Sequence, residues 1–152
     1  MILVDADACP VKREITETAI RRNIRAIFVA GSYLRLPDHP LIAIFTAGDG
    51  FDAADDAIAE VARPGTVTVT ADILLAERVI RKGGAALDPR GREFTEASIG
   101  ETVATRDLMA ELRPGVEGMT GGQGGGQRPF GPRDRAAFKN ALDRVLTRIA
   151  RG

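Results

Sequence analysis

A chain of 152 residues has the common size of one domain and suffices for one well-buried core. Hydrophobic residues make up 44% of it, which excludes a disordered chain, and no apolar run approaches the roughly 20 residues needed to cross a bilayer. One cysteine and one histidine exclude a disulfide framework and a Cys-rich zinc site, and a net charge of zero points to no partner.

Met1-Ile-Leu-Val-Asp5 reads as a buried first strand ending on an acid. It has neither the basic region nor the cleavage site of a signal peptide, so a reduced, cytoplasmic setting is expected. Pro10 sits near a helix start, with Val11, Ile15, Thr18 and Ala19 on one face. Arg25 to Ala30 and Leu41 to Thr46 are the second and third strands. Asp52 to Ala62 is helical and stops at Pro64-Gly65, with Ala54, Ala57, Ile58 and Val61 as its buried face. Thr66 to Thr70 alternates Thr and Val as a fourth strand should. Ile73 to Lys82 is a helix ended by Gly83-Gly84, and Ala85 to Leu87 is a short fifth strand. Ser98-Ile-Gly-Glu101 has the spacing of a capping box for a helix to about Leu112. A glycine-rich loop follows. Pro132 opens a last helix with Phe138, Leu142, Val145 and Ile149 as its apolar stripe.

Strands alternating with helices predict a three-layer α/β sandwich around a mostly parallel sheet of about five strands, with the first strand central. In such sheets ligands bind beyond the carboxyl ends of the strands. Asp5 and Asp7 follow the first strand, Asp72 the fourth and Asp88 the fifth, while Asp52, Asp55 and Asp56 open the helix after the third. All are expected to converge on one edge of the sheet. Close carboxylate pairs repel by about 4 kcal/mol at an effective dielectric near 20, so a true cluster calls for a cation. Oxygen ligands without His or Cys select Mg²⁺ or Mn²⁺. Such an ion polarises a phosphoryl oxygen and activates water for phosphodiester hydrolysis.

Each acid also has a structural role open to it. Asp52, Asp72 and Asp7 are potential helix caps, and Asp88-Pro89 is a common turn pair. Asp5, abutting a buried strand, has the least structural reason to be there. Helical phase sets Asp55 beside Ile58 at the edge of the buried face and turns Asp56 away. Cys9 lies among acids that oppose thiolate formation, and the glycine-rich segment lacks the Lys-Ser/Thr ending of a phosphate loop.

Charge is unevenly spread. Phe45 to Glu60 holds five acids and no base, whereas Arg128 to Arg151 holds seven bases against Asp134 and Asp143. The basic pole suits phosphate backbones, the alternative being an ordinary solvated helix face. With 5% aromatic residues and no Trp, sequence-specific stacking on single strands is not expected. Gly115 to Gly126, with Arg128, Arg133 and Arg135 behind it, reads either as a mobile flap that brings arginines to substrate phosphate or as a linker that only lets the last helix dock.

Val4-Asp-Ala-Asp-Ala-Cys-Pro10, Asp52-Ala-Ala-Asp-Asp56, Val69-Thr-Ala-Asp-Ile73, Asp88-Pro-Arg-Gly91, Arg106-Asp-Leu-Met109 and Arg128-Pro-Phe130 with Asp134-Arg135 and Phe138 resemble the YaiI/YqxD family of uncharacterised bacterial proteins. That family is regarded as PIN-like. The resemblance implies a single PIN-like, Rossmann-like domain over residues 1–152, with 115–131 a flexible loop and 132–151 the C-terminal helix. It also implies carboxylates binding Mg²⁺ or Mn²⁺ for RNA cleavage. On that resemblance Asp5, Asp55 and Asp72 are catalytic and hold the metal, with Asp56 as the alternative or additional helix-borne acid; Asp7 joins the expected metal ligands by its place past the first strand. Asp5, Asp55 or Asp56, and Asp72 match PIN acids; Asp7 has no firm counterpart. Thr70, Arg90, Arg128, Arg133 and Arg135 are expected to meet substrate. The family pattern has Asn where Asp88 stands and Pro where Leu74 stands. A second class remains open, a non-catalytic RNA- or protein-binding module on the same scaffold.

Overall fold

The structure, a computed structural model, describes residues 1–50, 52–101 and 128–152. Its elements are β1 (Ile2–Asp5), α1 (Lys12–Arg22), β2 (Ala26–Ala30), β3 (Ile42–Thr46), α2 (Ala53–Val61), β4 (Val67–Val69), α3 (Ile73–Arg81), β5 (Ala85–Leu87) and β6 (Glu93–Phe94). A helix α4 begins at residue 96, and α5 (Pro132–Arg151) closes the chain. The six strands form one sheet in the order β3-β2-β1-β4-β5-β6. β1 to β5 are parallel and β6 pairs antiparallel with β5.

Alternation along the strands divides the core into two layers. On one face Ile2, Val4, Phe28, Val67 and Val69 meet α1 and α5 through Ile15, Phe138, Leu142 and Val145. On the other face Leu3, Val29 and Ala86 meet α2 and α3 through Ile58, Leu75 and Val79. β1 is buried on both sides, which is why its residues read as a continuous apolar run. Arg21 and Arg22 of α1 both bond to the Asp143 carboxylate of α5, tying together two helices that are far apart in sequence.

The α/β sandwich, the mostly parallel sheet and the central first strand are as the sequence indicates. The differences lie where pairing or packing overrides the local pattern. β6 was not expected; it is two residues long and exists only through its ladder with β5. The helix after β6 starts earlier than Ser98, because Thr95 and Ser98 cap each other: each backbone N–H donates to the other's hydroxyl, at 2.9 and 3.1 Å. The buried face of α2 is rotated, with Ile58, Ala59 and Ala62 inside while Val61 is 38% exposed. Leu146 of α5 is buried as well, and Ile149 packs only at the rim. The expected helix beyond residue 101, the motif Arg106-Asp-Leu-Met109 and the glycine-rich flap lie outside the described residues.

Candidate active site

The chain leaves β1 toward β2 on one side, while β4 pairs with β1 on the other. The carboxyl ends of β1 and β4 therefore flank a topological switch point, the crevice where ligands bind in open α/β sheets. Asp5 is the last residue of β1. One Asp5 oxygen, Oδ2, accepts a hydrogen bond from the Thr70 hydroxyl at 2.9 Å, just past β4. That hydroxyl also accepts from the Asp72 backbone N–H at 3.0 Å. Thr70 is buried and therefore fixes Asp5 relative to the start of α3. Asp72 in turn caps α3, its Oδ1 accepting from Leu74 N–H at 2.9 Å.

Asp55 lies in the first turn of α2, half-buried, facing this pair from the third segment. Burial first, then the fields of Asp5, Asp72 and Asp52, and then a hydrogen bond to the Asp72 side chain push its carboxyl up to about 6. Asp5 is likewise raised, chiefly by burial and further by Asp72 and Asp7, against the opposing Thr70 hydrogen bond. Three segments distant in sequence thus bring Asp5, Asp55 and Asp72 into mutual electrostatic contact.

Such all-oxygen donors suit Mg²⁺ or Mn²⁺, which are commonly held by one or two carboxylates and several waters. Among the described residues, no group of three His, Cys, Asp or Glu side chains is arranged as a ready-made metal cage. The chemistry of the donor set is that of a hard divalent ion.

Asp7, Asp56 and Asp88 have structural partners. Asp7 does not cap α1; it accepts from Gly31 N–H at 3.0 Å and the Ser32 hydroxyl at 3.4 Å, tying the β1 turn to the end of β2. Asp56 is exposed, turned away, and paired with Arg78 at 2.9 Å, so the structure does not bring it to the cluster. Asp52 is the N-cap residue of α2 but makes no side-chain cap bond. Asp88 is buried and organises its own turn, accepting from the N–H groups of Arg90 and Arg92 and from Arg92 Nε. Cys9 is buried, and burial pushes its thiol up, away from nucleophilic character.

The model of the YaiI/YqxD family, described as uncharacterised, matches residues 3–148. The chain belongs to this family. It is 55% identical over 150 residues to a UPF0178 protein of Jannaschia sp. (strain CCS1), covering 98% of this chain and 94% of that one. It is 53% identical over 153 residues to a UPF0178 protein of Sphingopyxis alaskensis, covering 100% and 96%. A UPF0178 protein of Bradyrhizobium diazoefficiens is 53% identical over 150 residues, covering 99% of this chain and 87% of its own. No solved structure matches.

In this YaiI/YqxD chain one cleft is lined by Asp52, Asp55 and Asp72 together with Arg78, Arg90, Arg92 and Phe130, and also by Asp88 and Glu93. Arg90 is held by Asp134 at 3.2 Å and donates to the Arg128 carbonyl at 2.7 Å, with its guanidinium 5.5 Å from the Phe130 ring centre. Arg92 is anchored through Nε to Asp88, yet its side chain is 74% exposed. Sequence reasoning did not single out Arg92, and named Phe130 only within the motif Arg128-Pro-Phe130; the signal for Arg92 was its place four residues after an acid in a tight turn.

The other arginines are engaged in holding α5. Arg128 pairs with Asp134 at 2.7 Å, and Asp134, 1% exposed, also accepts from Gly131 N–H. That backbone bond first, with Arg128 and Arg90, holds the Asp134 carboxyl below its usual range. Arg135 donates to the Pro10 carbonyl at 2.7 Å and meets Glu14 at 3.3 Å, docking α5 onto the start of α1. Arg133 is exposed on the first turn of α5. Arg128 and Arg135, expected as phosphate contacts, make these bonds while their side chains stay 57% and 44% exposed. Thr70, expected to meet substrate, has its hydroxyl committed to Asp5.

Proposed function

We propose that the chain is a Mg²⁺- or Mn²⁺-dependent ribonuclease whose centre is Asp5, Asp55 and Asp72. The observation carrying this reading is the convergence of those three side chains at the switch point, with Asp55 raised to about 6. The PIN-like character implied by the sequence motifs supports it. When bound, the ion would offset carboxylate repulsion and stabilise negative charge on the phosphate.

The residues divide the work by environment. Asp5, fixed by Thr70, and Asp72, fixed at the head of α3, would hold the ion. Asp55 is shifted closest to neutral pH, which suits it to accept the proton of the attacking water as the water oxygen bonds to phosphorus. The bridging P–O bond then breaks and the leaving oxygen takes up a proton. Arg90 and Arg92, across the cleft, pair with the non-bridging phosphate oxygens, for which the guanidinium fork is well matched. Thr70 is a positioning residue in this scheme, and the flanking phosphates are gripped by the 88–92 turn.

The absence of a ready-made metal cage among the described residues favours a second reading, an RNA- or protein-binding module without turnover. Incubating the full chain with total cellular RNA, with and without Mn²⁺, separates the two. Cleavage that requires Mn²⁺ and disappears in both Asp5→Asn and Asp72→Asn supports the nuclease. Intact RNA at every metal concentration, with a folded protein, rejects it.

A further inference from the structure

Resting on the RNA-directed function proposed above, we infer that Asp134 and Phe130, at the entry to α5, are positioning residues that hold the Arg90 guanidinium in the cleft, in the pose that receives a substrate phosphate. Asp134 is 1% exposed and lies in the first turn of α5. Capping that helix occupies only one of its oxygens, Oδ2, which accepts from Gly131 N–H at 2.9 Å. The other, Oδ1, lies 2.7 Å from Arg128 Nη2 and 3.2 Å from Arg90 Nη1. Buried carboxylates are rare unless paired. Here one carboxylate serves two guanidiniums, so the trio keeps a net positive charge beside the cleft.

Arg90 is restrained at both its backbone and its head. Its backbone N–H donates to Asp88 Oδ1 at 2.9 Å. The turn that carries it is seated on α5 without slack, since a Cβ added at Gly91 would lie 2.7 Å from the Ala137 carbonyl oxygen. At the head, Nη2 donates to the Arg128 carbonyl at 2.7 Å, and the guanidinium lies 5.5 Å from the Phe130 ring centre. The same ring has Arg135 5.2 Å from its centre, and Arg135 is anchored on the Pro10 carbonyl. These bonds leave other N–H groups of Arg90 for a phosphate, and its side chain is 20% exposed where it lines the cleft. Arg92, in the same turn, is 74% exposed and held through Nε by Asp88. A loosely held arginine loses rotamer freedom when it takes a phosphate, whereas Arg90 has lost it on folding, so its contact is stronger for the same chemistry. Arg90 thus sets where the phosphate sits relative to Asp55 and Asp72, which line the same cleft.

The test is binding of a labelled oligouridylate by the full chain in Ca²⁺, an ion that fills oxygen sites, read by fluorescence anisotropy. The Asp134 carboxylate is surrounded by donors, so Asp134→Asn sets an NH2 group against one of them. Phe130→Leu removes the ring and keeps an apolar side chain. Each should weaken binding about five- to tenfold, the share of affinity that one immobilised side chain represents. Neither should weaken it further in an Arg90→Ala background, because a positioning residue acts only through the residue it holds. Asp143→Asn, which loosens α5 from Arg21 and Arg22 without touching the cleft lining, should bind as the wild type does. Unchanged affinity in a folded Asp134→Asn, or in Phe130→Leu, overturns the inference. So does a loss that is equally large without Arg90, or one that Asp143→Asn reproduces. If Asp134→Asn does not fold, Phe130→Leu with and without Arg90 decides. A wild type that binds no RNA rejects the proposed function itself, and the inference with it.

Discussion

Replacing Asp55 by Asn should make the metal-free protein more stable at neutral pH, although a charged group at the candidate active site is lost. In the folded chain the Asp55 carboxyl is raised from 3.8 to about 6, first by burial and then by Asp5, Asp72 and Asp52. Between those values the folded state holds a proton that the unfolded state has released. Stability contributed by this group therefore falls as pH rises through that interval, and the loss is complete above it. The largest possible effect is about 3 kcal/mol, but Asp55 is only half-buried and water screens its neighbours, so about 1–1.5 kcal/mol is expected. Asn keeps a hydrogen bond to Asp72 and carries no charge. Thermal unfolding in EDTA should show Asp55→Asn melting about 3–5 °C above the wild type at pH 8, given about 2–4 °C per kcal/mol for a domain of this size. The gap should close by pH 4, where both side chains are neutral. A variant less stable than the wild type at pH 8, or a difference independent of pH, refutes the argument that these carboxylates repel one another.

Saturating Mn²⁺, at about a hundred times its dissociation constant, should stabilise the wild type by about 2.7 kcal/mol, seen as a higher melting temperature. The rise should vanish in Asp5→Asn with Asp72→Asn, and its persistence there would place the ion elsewhere. Arg90→Ala with Arg92→Ala should weaken RNA binding across sequences and lower the salt slope by about one to two, leaving the Mn²⁺ shift intact; a fluorescence titration at several salt concentrations reads both. Gly91→Ala should lower the melting temperature markedly, because φ is +93° and an added Cβ would lie 2.7 Å from the Ala137 carbonyl oxygen. The left-handed conformation alone costs about 1–2 kcal/mol, and the clash adds to it, which denaturant unfolding will measure. Thr68→Val should stabilise by about 1 kcal/mol, since the Thr68 hydroxyl is buried with no hydrogen-bond partner among the described residues; an unchanged or lower denaturation midpoint would show that it has one.

What the sequence alone determined is what depends on local periodicity. The run Ile2–Asp5, the Thr/Val alternation before Asp72 and the 3.6-residue phase that separates Asp55 from Asp56 are properties of single segments, and each element formed where that pattern lay. Once the order of strands and helices implied a parallel sheet, the acids after β1 and β4 had to meet at one edge, because parallel strands share the direction of their carboxyl ends. What only the tertiary structure decided is which polar group meets which across the fold. Arg135 reaches the Pro10 carbonyl, Arg22 reaches Asp143, and Thr70 reaches Asp5, all between segments that no local pattern relates. Gly91 is required by the Ala137 backbone packed against it, and β6 exists only because β5 offers it an edge. Apolar burial is non-directional and leaves its mark as spacing along one segment, whereas hydrogen bonds and ion pairs are directional and need both partners in place.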